Sequence, residues 1–181
     1  MEAVGITHPL RRLFTGLVEQ AFCCEVGMCE PALTDYVSEL LVSFIHVDRL
    51  QILRNSTDRP PEQVAAMLAV ACEDTSAKPA DRDRLMYRHI GDFTLFWAGV
   101  YPEQLKLTRR NQSDVLLNYV SQGKRSYAIV SELATDQDRP PARVFRVLSE
   151  DFEYCLHGLS RVRRSWEEVA RTKPDSGQIV Y

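Results

Sequence analysis

Apolar residues recur every three to four positions through most of the chain, in runs separated by polar or proline-containing breaks. In the first run, Leu10, Leu13, Phe14, Leu17, Val18 and Ala21 share one face after Thr7-His8-Pro9, so a helix is expected to start there and end near Gly27. Arg11 and Arg12 stand at the unfavourable end of its dipole and are expected to be solvated or paired with another segment. A second helix, from about Pro31 to Leu53, carries Tyr36, Val37, Leu40, Leu41, Phe44, Val47 and Leu50 as its stripe. A short third, about Pro61 to Glu73, offers Val64, Met67, Leu68 and Ala71 to a core. The fourth begins at about Asp81 and should stop near Pro102, whose ring cannot continue the helical ladder. Ser113 can cap the fifth, which turns Leu116, Tyr119, Val120, Tyr127, Val130 and Leu133 inward. The last, from about Pro141 through Ala170, keeps an apolar stripe from Val144 to Trp166, with an irregularity expected at Gly158. It is long enough to project toward a second subunit. The pattern predicts an all-α, single-domain bundle of about six helices over residues 1–170, with 171–181 as a tail of no helical period.

One short motif occurs twice. Asp58-Arg59-Pro60-Pro61-x-x-Val64 returns as Asp138-Arg139-Pro140-Pro141-x-x-Val144, each time before an apolar helical pattern. Proline costs little at a helix start and much later on, so both copies read as the same initiation device, not as a duplicated domain.

The fourth helix is the densest in aromatic residues and holds the candidate chemistry. With Leu85 at zero and about 100° per residue, Ile90, Phe93, Phe96, Trp97 and Val100 span roughly 20° to 140°, Asp92 falls near 340° and His89 near 40°. Asp92 thus stands at the edge of the apolar arc, where a desolvated carboxylate needs donors. Arg88 and His89 lie one turn before it on the same helix. Three readings follow. Asp92 and its neighbours form an internal polar cluster that fixes helix packing, or a ligand or catalytic site with Tyr119 or Tyr127 and a carboxylate such as Glu19 or Glu39, or Asp92 is freely solvated. Gly91, Gly99 and Gly123 suit close packing, since glycine inside a helix costs about 1 kcal/mol relative to alanine and needs a reason. Gly123, between Tyr119 and Tyr127, suits a close crossing with the central helix or a planar ligand.

The run Gly91-Asp92-x-x-Leu95-Phe96-x-x-Gly99-x-x-Pro102-Glu103, followed by Tyr119-x3-Gly123-x3-Tyr127, resembles a group of bacterial all-helical proteins without an established activity. The resemblance covers about residues 85 to 130, with a departure at Tyr101, where the group is expected to carry phenylalanine. It implies the fold and leaves function open.

Composition narrows the remaining classes. With 45% apolar and 26% charged residues, 181 residues suffice for one sizeable core. A net charge of -3 supplies no global electrostatic footprint for nucleic acid. Nothing approaches a membrane span, and Met1-Glu2-Ala3-Val4-Gly5 has no basic region leading into an apolar run, so a cytoplasmic protein is expected. Five cysteines then read as reduced thiols, with Cys72 and Cys155 as small core residues. Cys23 and Cys24 point about 100° apart on a helix and make a poor joint metal site. No Glu-x-x-His pair, His-Glu-x-x-His, Cys-x-x-Cys, Gly-rich phosphate loop or Gly-x-Ser-x-Gly elbow occurs. His8, His46, His89 and His157 are too few to point to a haem or other planar cofactor, and no metal site is expected. His157 can share a helical face with Glu153. Lys106, Arg109 and Arg110 form a small basic cluster that reads as a solvated or intersubunit-paired loop. The expected function is that of a helical structural or interaction protein that forms homo-oligomers; a small-molecule or metal-binding enzyme centred on His89 and Asp92 is the alternative.

Overall fold

Proline begins four of the seven α-helices among the described residues and directly precedes a fifth, as its fixed φ and missing N–H favour. The computed structural model describes residues 9–45, 79–107 and 112–172. Helix α1 (Pro9–Glu19) continues into a π-helical stretch (Gln20–Val26) and ends at Gly27, whose φ of 82° closes the turn in the left-handed region. Then follow α2 (Pro31–Ile45), α3 (Pro79–Val100), α4 (Pro102–Leu107), α5 (Gln112–Leu133), α6 (Ala142–Glu150) and α7 (Phe152–Thr172). No strand occurs among the described residues, and the architecture is the expected all-α bundle. The expected third helix, the first copy of the proline motif, His8, His46, Cys72, the side chains of Lys106, Arg109 and Arg110, and the tail beyond Thr172 lie outside the described residues. The second copy of the motif does start a helix, with extended Pro141 preceding α6.

Helix α3 is the axis. Its first half, Pro79 to His89, is exposed or partly buried, whereas every residue from Ile90 to Val100 is buried. The single apolar arc read from the sequence therefore understates the enclosure: α2, α5 and α7 all pack on α3, which leaves its C-terminal half no solvent side. Phe44 of α2 stacks on Phe96 at 4.6 Å between centroids, and Phe96 meets Trp97 edge-on. At the C-terminal end, Arg163 of α7 donates through Nη1 to the Val100 carbonyl at 2.6 Å and pairs with Glu103 and Glu167. One guanidinium so serves an otherwise orphaned helix-end acceptor.

Two expectations are corrected. Gly158 is an uninterrupted part of α7; the expected last helix breaks instead at Asp151, whose φ and ψ of -105° and 31° leave the helical region. The break lets two rings enter the core in different directions, Phe145 against Tyr36 and Tyr127, and Phe152 against Tyr127. The cysteines are not all reduced either, because Cys23 and Cys29 form a disulfide. The π-helical stretch and the reversal at Gly27 bring their Cα atoms to 4.3 Å, a proximity that linear spacing does not reveal. Cys24 is an exposed thiol and Cys155 a buried one.

Candidate functional site

Three helices converge on Asp92. Gly91 precedes it, and a Cβ there would stand 2.7 Å from Cε1 of Tyr127. Its absence lets the Tyr127 ring of α5 lie against the α3 backbone, so that its hydroxyl donates to Asp92 Oδ1 at 2.8 Å. From α2, the Tyr36 hydroxyl makes a short hydrogen bond to the same oxygen. Arg88, one turn before Asp92, donates through Nε to the Tyr36 hydroxyl at 3.2 Å and stands 3.7 Å from Asp92 Oδ2. Its guanidinium also lies 5.1 Å from the Tyr36 ring centroid. Donors thus run from Arg88 to Tyr36 to Asp92, with each bond polarising the next.

The enclosure sets the electrostatics. Both phenols are held well above their ordinary pKa, first by desolvation and then by the Asp92 charge, which opposes a second negative charge beside it. They remain neutral donors. Burial alone would favour loss of the Arg88 proton, but Tyr36 and Asp92 outweigh it, and its pKa is raised. Asp92 is 8% exposed, and among the described residues its hydrogen bonds and ion pair run to these three.

Of the residues proposed from the sequence, the structure brings together Arg88, Asp92 and Tyr127. It adds Tyr36, which had been read as one more member of the α2 apolar stripe; the one hydroxyl in an otherwise apolar row was the available signal, since a buried hydroxyl needs a partner. Tyr119 instead packs beside Phe93, with ring centroids 6.0 Å apart. His89 is partly buried, and no hydrogen bond or ion pair joins it to Asp92 among those described. Glu39 pairs with Arg11 at the surface, and Glu19 lines a separate groove with Cys23, Cys24 and Cys29. Glu153 turns to Lys124 at 3.0 Å, and no ion pair joins it to His157 among the described residues. The three glycines sit at close approaches: Gly91 under Tyr127, Gly99 against Leu159, and Gly123 between Phe152 and Thr94.

A cleft of about 260 Å³ opens on the far side of Arg88. Asp81, Arg84, Leu85 and Arg88 line it from one face of α3, Val130 from α5 and Ala134 from just beyond its end. Asp138, Arg139 and Pro140 of the connecting turn and Phe145 of α6 complete it. Asp138 accepts from the backbone and hydroxyl of Thr135 and from Arg84 at 3.0 Å, which hold its pKa down to about 2. Asp92 lines neither this cleft nor the groove beside Cys23.

Among the described residues, no group of three or more His, Cys, Asp or Glu side chains converges to hold a metal, and no helix is long and apolar enough to cross a membrane. Comparison with known protein families, curated proteins and solved structures finds no match to this chain.

Proposed function

We propose that the protein is a helical structural or interaction protein that self-associates, and that the polar cluster around Asp92 specifies its packing. The observation that carries this reading is the saturation of Asp92: two phenols and a guanidinium take up its carboxylate, and neither of the two described clefts includes it. A catalytic carboxylate needs a path to substrate and a proton or charge to exchange. This one is spent on joining α2, α3 and α5, a use in which buried polar groups contribute uniqueness of structure.

Self-association is supported by exposed apolar groups beside one ion pair. Leu117 and Lys124 are seven residues apart on α5 and so share a bearing; Lys124 meets Glu153 at the start of α7, next to Tyr154. Leu117 is 64% and Tyr154 61% exposed, which offers two hydrophobic anchors around a charged pair. In sedimentation velocity from about 1 to 100 μM, a range that brackets moderate affinities, the full chain should shift toward dimer or a larger species. Leu117→Glu and Tyr154→Glu should return it to monomer without loss of helicity. A wild type that stays monomeric throughout refutes self-association.

The same reading places the protein in the cytoplasm, as a relative of the bacterial helical group that shares the Gly91 to Glu103 pattern. There the Cys23–Cys29 bridge would meet a reducing thiol pool. Alkylation of acid-quenched cells should find the pair mostly reduced; a fully oxidised pair would argue for another compartment.

A further inference from the structure

We propose that the cleft beside Arg88 binds a small monocarboxylate with an apolar body. Arg88 is the key. Its Nε is committed to Tyr36 and faces Asp92, which fixes the guanidinium plane, while its side chain is 34% exposed and lines the cleft. Among the described residues its two Nη nitrogens take no hydrogen bond or ion pair, so a pre-oriented double donor is left for a ligand. A guanidinium edge held in this way matches the two oxygens of a carboxylate.

The remaining wall selects the rest of the ligand. Val130 and Phe145 are buried at the bottom, with Leu85 beside them, so the inner surface is apolar. At about 260 Å³ the cavity holds the equivalent of roughly eight or nine waters, room for a ligand of about ten non-hydrogen atoms. Charge sets the valence. Arg84, Arg88 and Arg139 face Asp81 and Asp138, and Asp138 is ionised at neutral pH. Within the lining itself three guanidiniums face two carboxylates, which admits a monoanion and poorly matches a dianionic phosphate. Asp92 also pairs with Arg88 from outside the cleft, so the unpaired charge of the lining is that of Arg139. Arg139 is exposed and makes no ion pair among the described residues, so it can close over the carboxylate from the turn. A single subunit holds all of these groups, and binding here needs no self-association.

Calorimetric titration of the full chain at low salt tests this with three probes: benzoate, benzamide as the uncharged analogue of the same shape, and inorganic phosphate. Benzoate should bind saturably with one site per chain, and both other probes at least about tenfold more weakly, as expected for loss of a charge-assisted pair. Arg139→Gln, at an exposed position, should weaken benzoate several-fold, and Ala134→Leu should fill the cleft and abolish binding; melting curves establish that each variant is folded. If Ala134→Leu does not fold, Arg139→Gln decides alone. Equal binding of benzamide, tighter binding of phosphate, no saturation by benzoate, or benzoate binding indifferent to Arg139→Gln would each overturn the proposal.

Discussion

Asp92 is 8% exposed and holds two phenols through one oxygen, which makes it the most consequential polar side chain described. Asp92→Asn leaves one acceptor and puts an amide where the Arg88 charge expects an anion. It should cost about 2–4 kcal/mol, the range for hydrogen bonds to charged groups and for a broken buried pair. A loss of that size lowers the melting temperature by roughly 5–15 °C in a chain of this length, measurable by thermal denaturation. Unchanged melting would remove the packing role. The enclosure also dictates an alkaline limit. For Tyr36, Tyr127 and Cys155 the folded pKa is raised, Cys155 to about 12 by desolvation and then by Asp151 and Glu153. Their contribution is complete below the unfolded values, near 9 for the thiol and 10 for the phenols, and is lost as pH climbs through the folded ones. Urea midpoints should therefore fall steeply above about pH 9, and Tyr127→Phe should reduce the slope above pH 10 by roughly 1.4 kcal/mol per pH unit. At this scale the sequence pointed to Asp92, Arg88 and Tyr127, because each is polar within an apolar helical pattern. It also pointed to His89, one turn from Asp92, and no hydrogen bond or ion pair between the two is among those described. Tyr36 was hidden because its ring fits an apolar stripe and only its hydroxyl belongs to the site.

Helices approach closely where a ring replaces a missing methyl. Gly123 shows the tightest case: a Cβ there would lie 2.3 Å from Phe152 Cζ and 2.7 Å from Thr94 Oγ1, so α3, α5 and α7 meet at one residue. Gly123→Ala gains helix propensity of about 1 kcal/mol, but overpacking costs about 1–3 kcal/mol, so a net loss is expected. Phe152→Leu in the same chain should recover part of it, which a double-mutant cycle of urea denaturations would read as a favourable coupling. Gly158 is similar, with Phe22 at 2.6 Å from its would-be Cβ, and this explains why a glycine there does not break α7. The break at Asp151 and the Cys23–Cys29 bridge escaped the sequence for one reason: each depends on where a distant or reversed segment comes to lie. The thiols should differ in reactivity. Exposed Cys24 should be alkylated rapidly in the native state, while Cys155, buried and with its pKa pushed up to about 12, should react only on unfolding, as peptide mass mapping can show.

For the whole molecule, the buried half of α3 works as the hub around which the other helices are arranged, and the exposed half contributes one wall of the Arg88 cleft. A closed cluster and an open cleft thus share a single arginine. Occupation of the cleft should raise the melting temperature by mass action, in proportion to the logarithm of ligand excess. The Leu117 and Tyr154 surface shares no residue with the cleft, Leu117 lying in the N-terminal part of α5 and Tyr154 at the start of α7, so Leu117→Glu should abolish self-association and leave benzoate affinity within about twofold of wild type, as expected for independent sites.

Periodicity and proline placement were enough to determine an all-helical chain, the identity of its central helix and the positions at which several helices begin, because these follow from local backbone preference and the burial of one helix face. The partners of Asp92, the disulfide, the kink at Asp151 and the cleft came only from the tertiary structure. Each joins residues far apart in sequence or on opposite sides of a turn, and helical period alone says nothing of which helix stands opposite which.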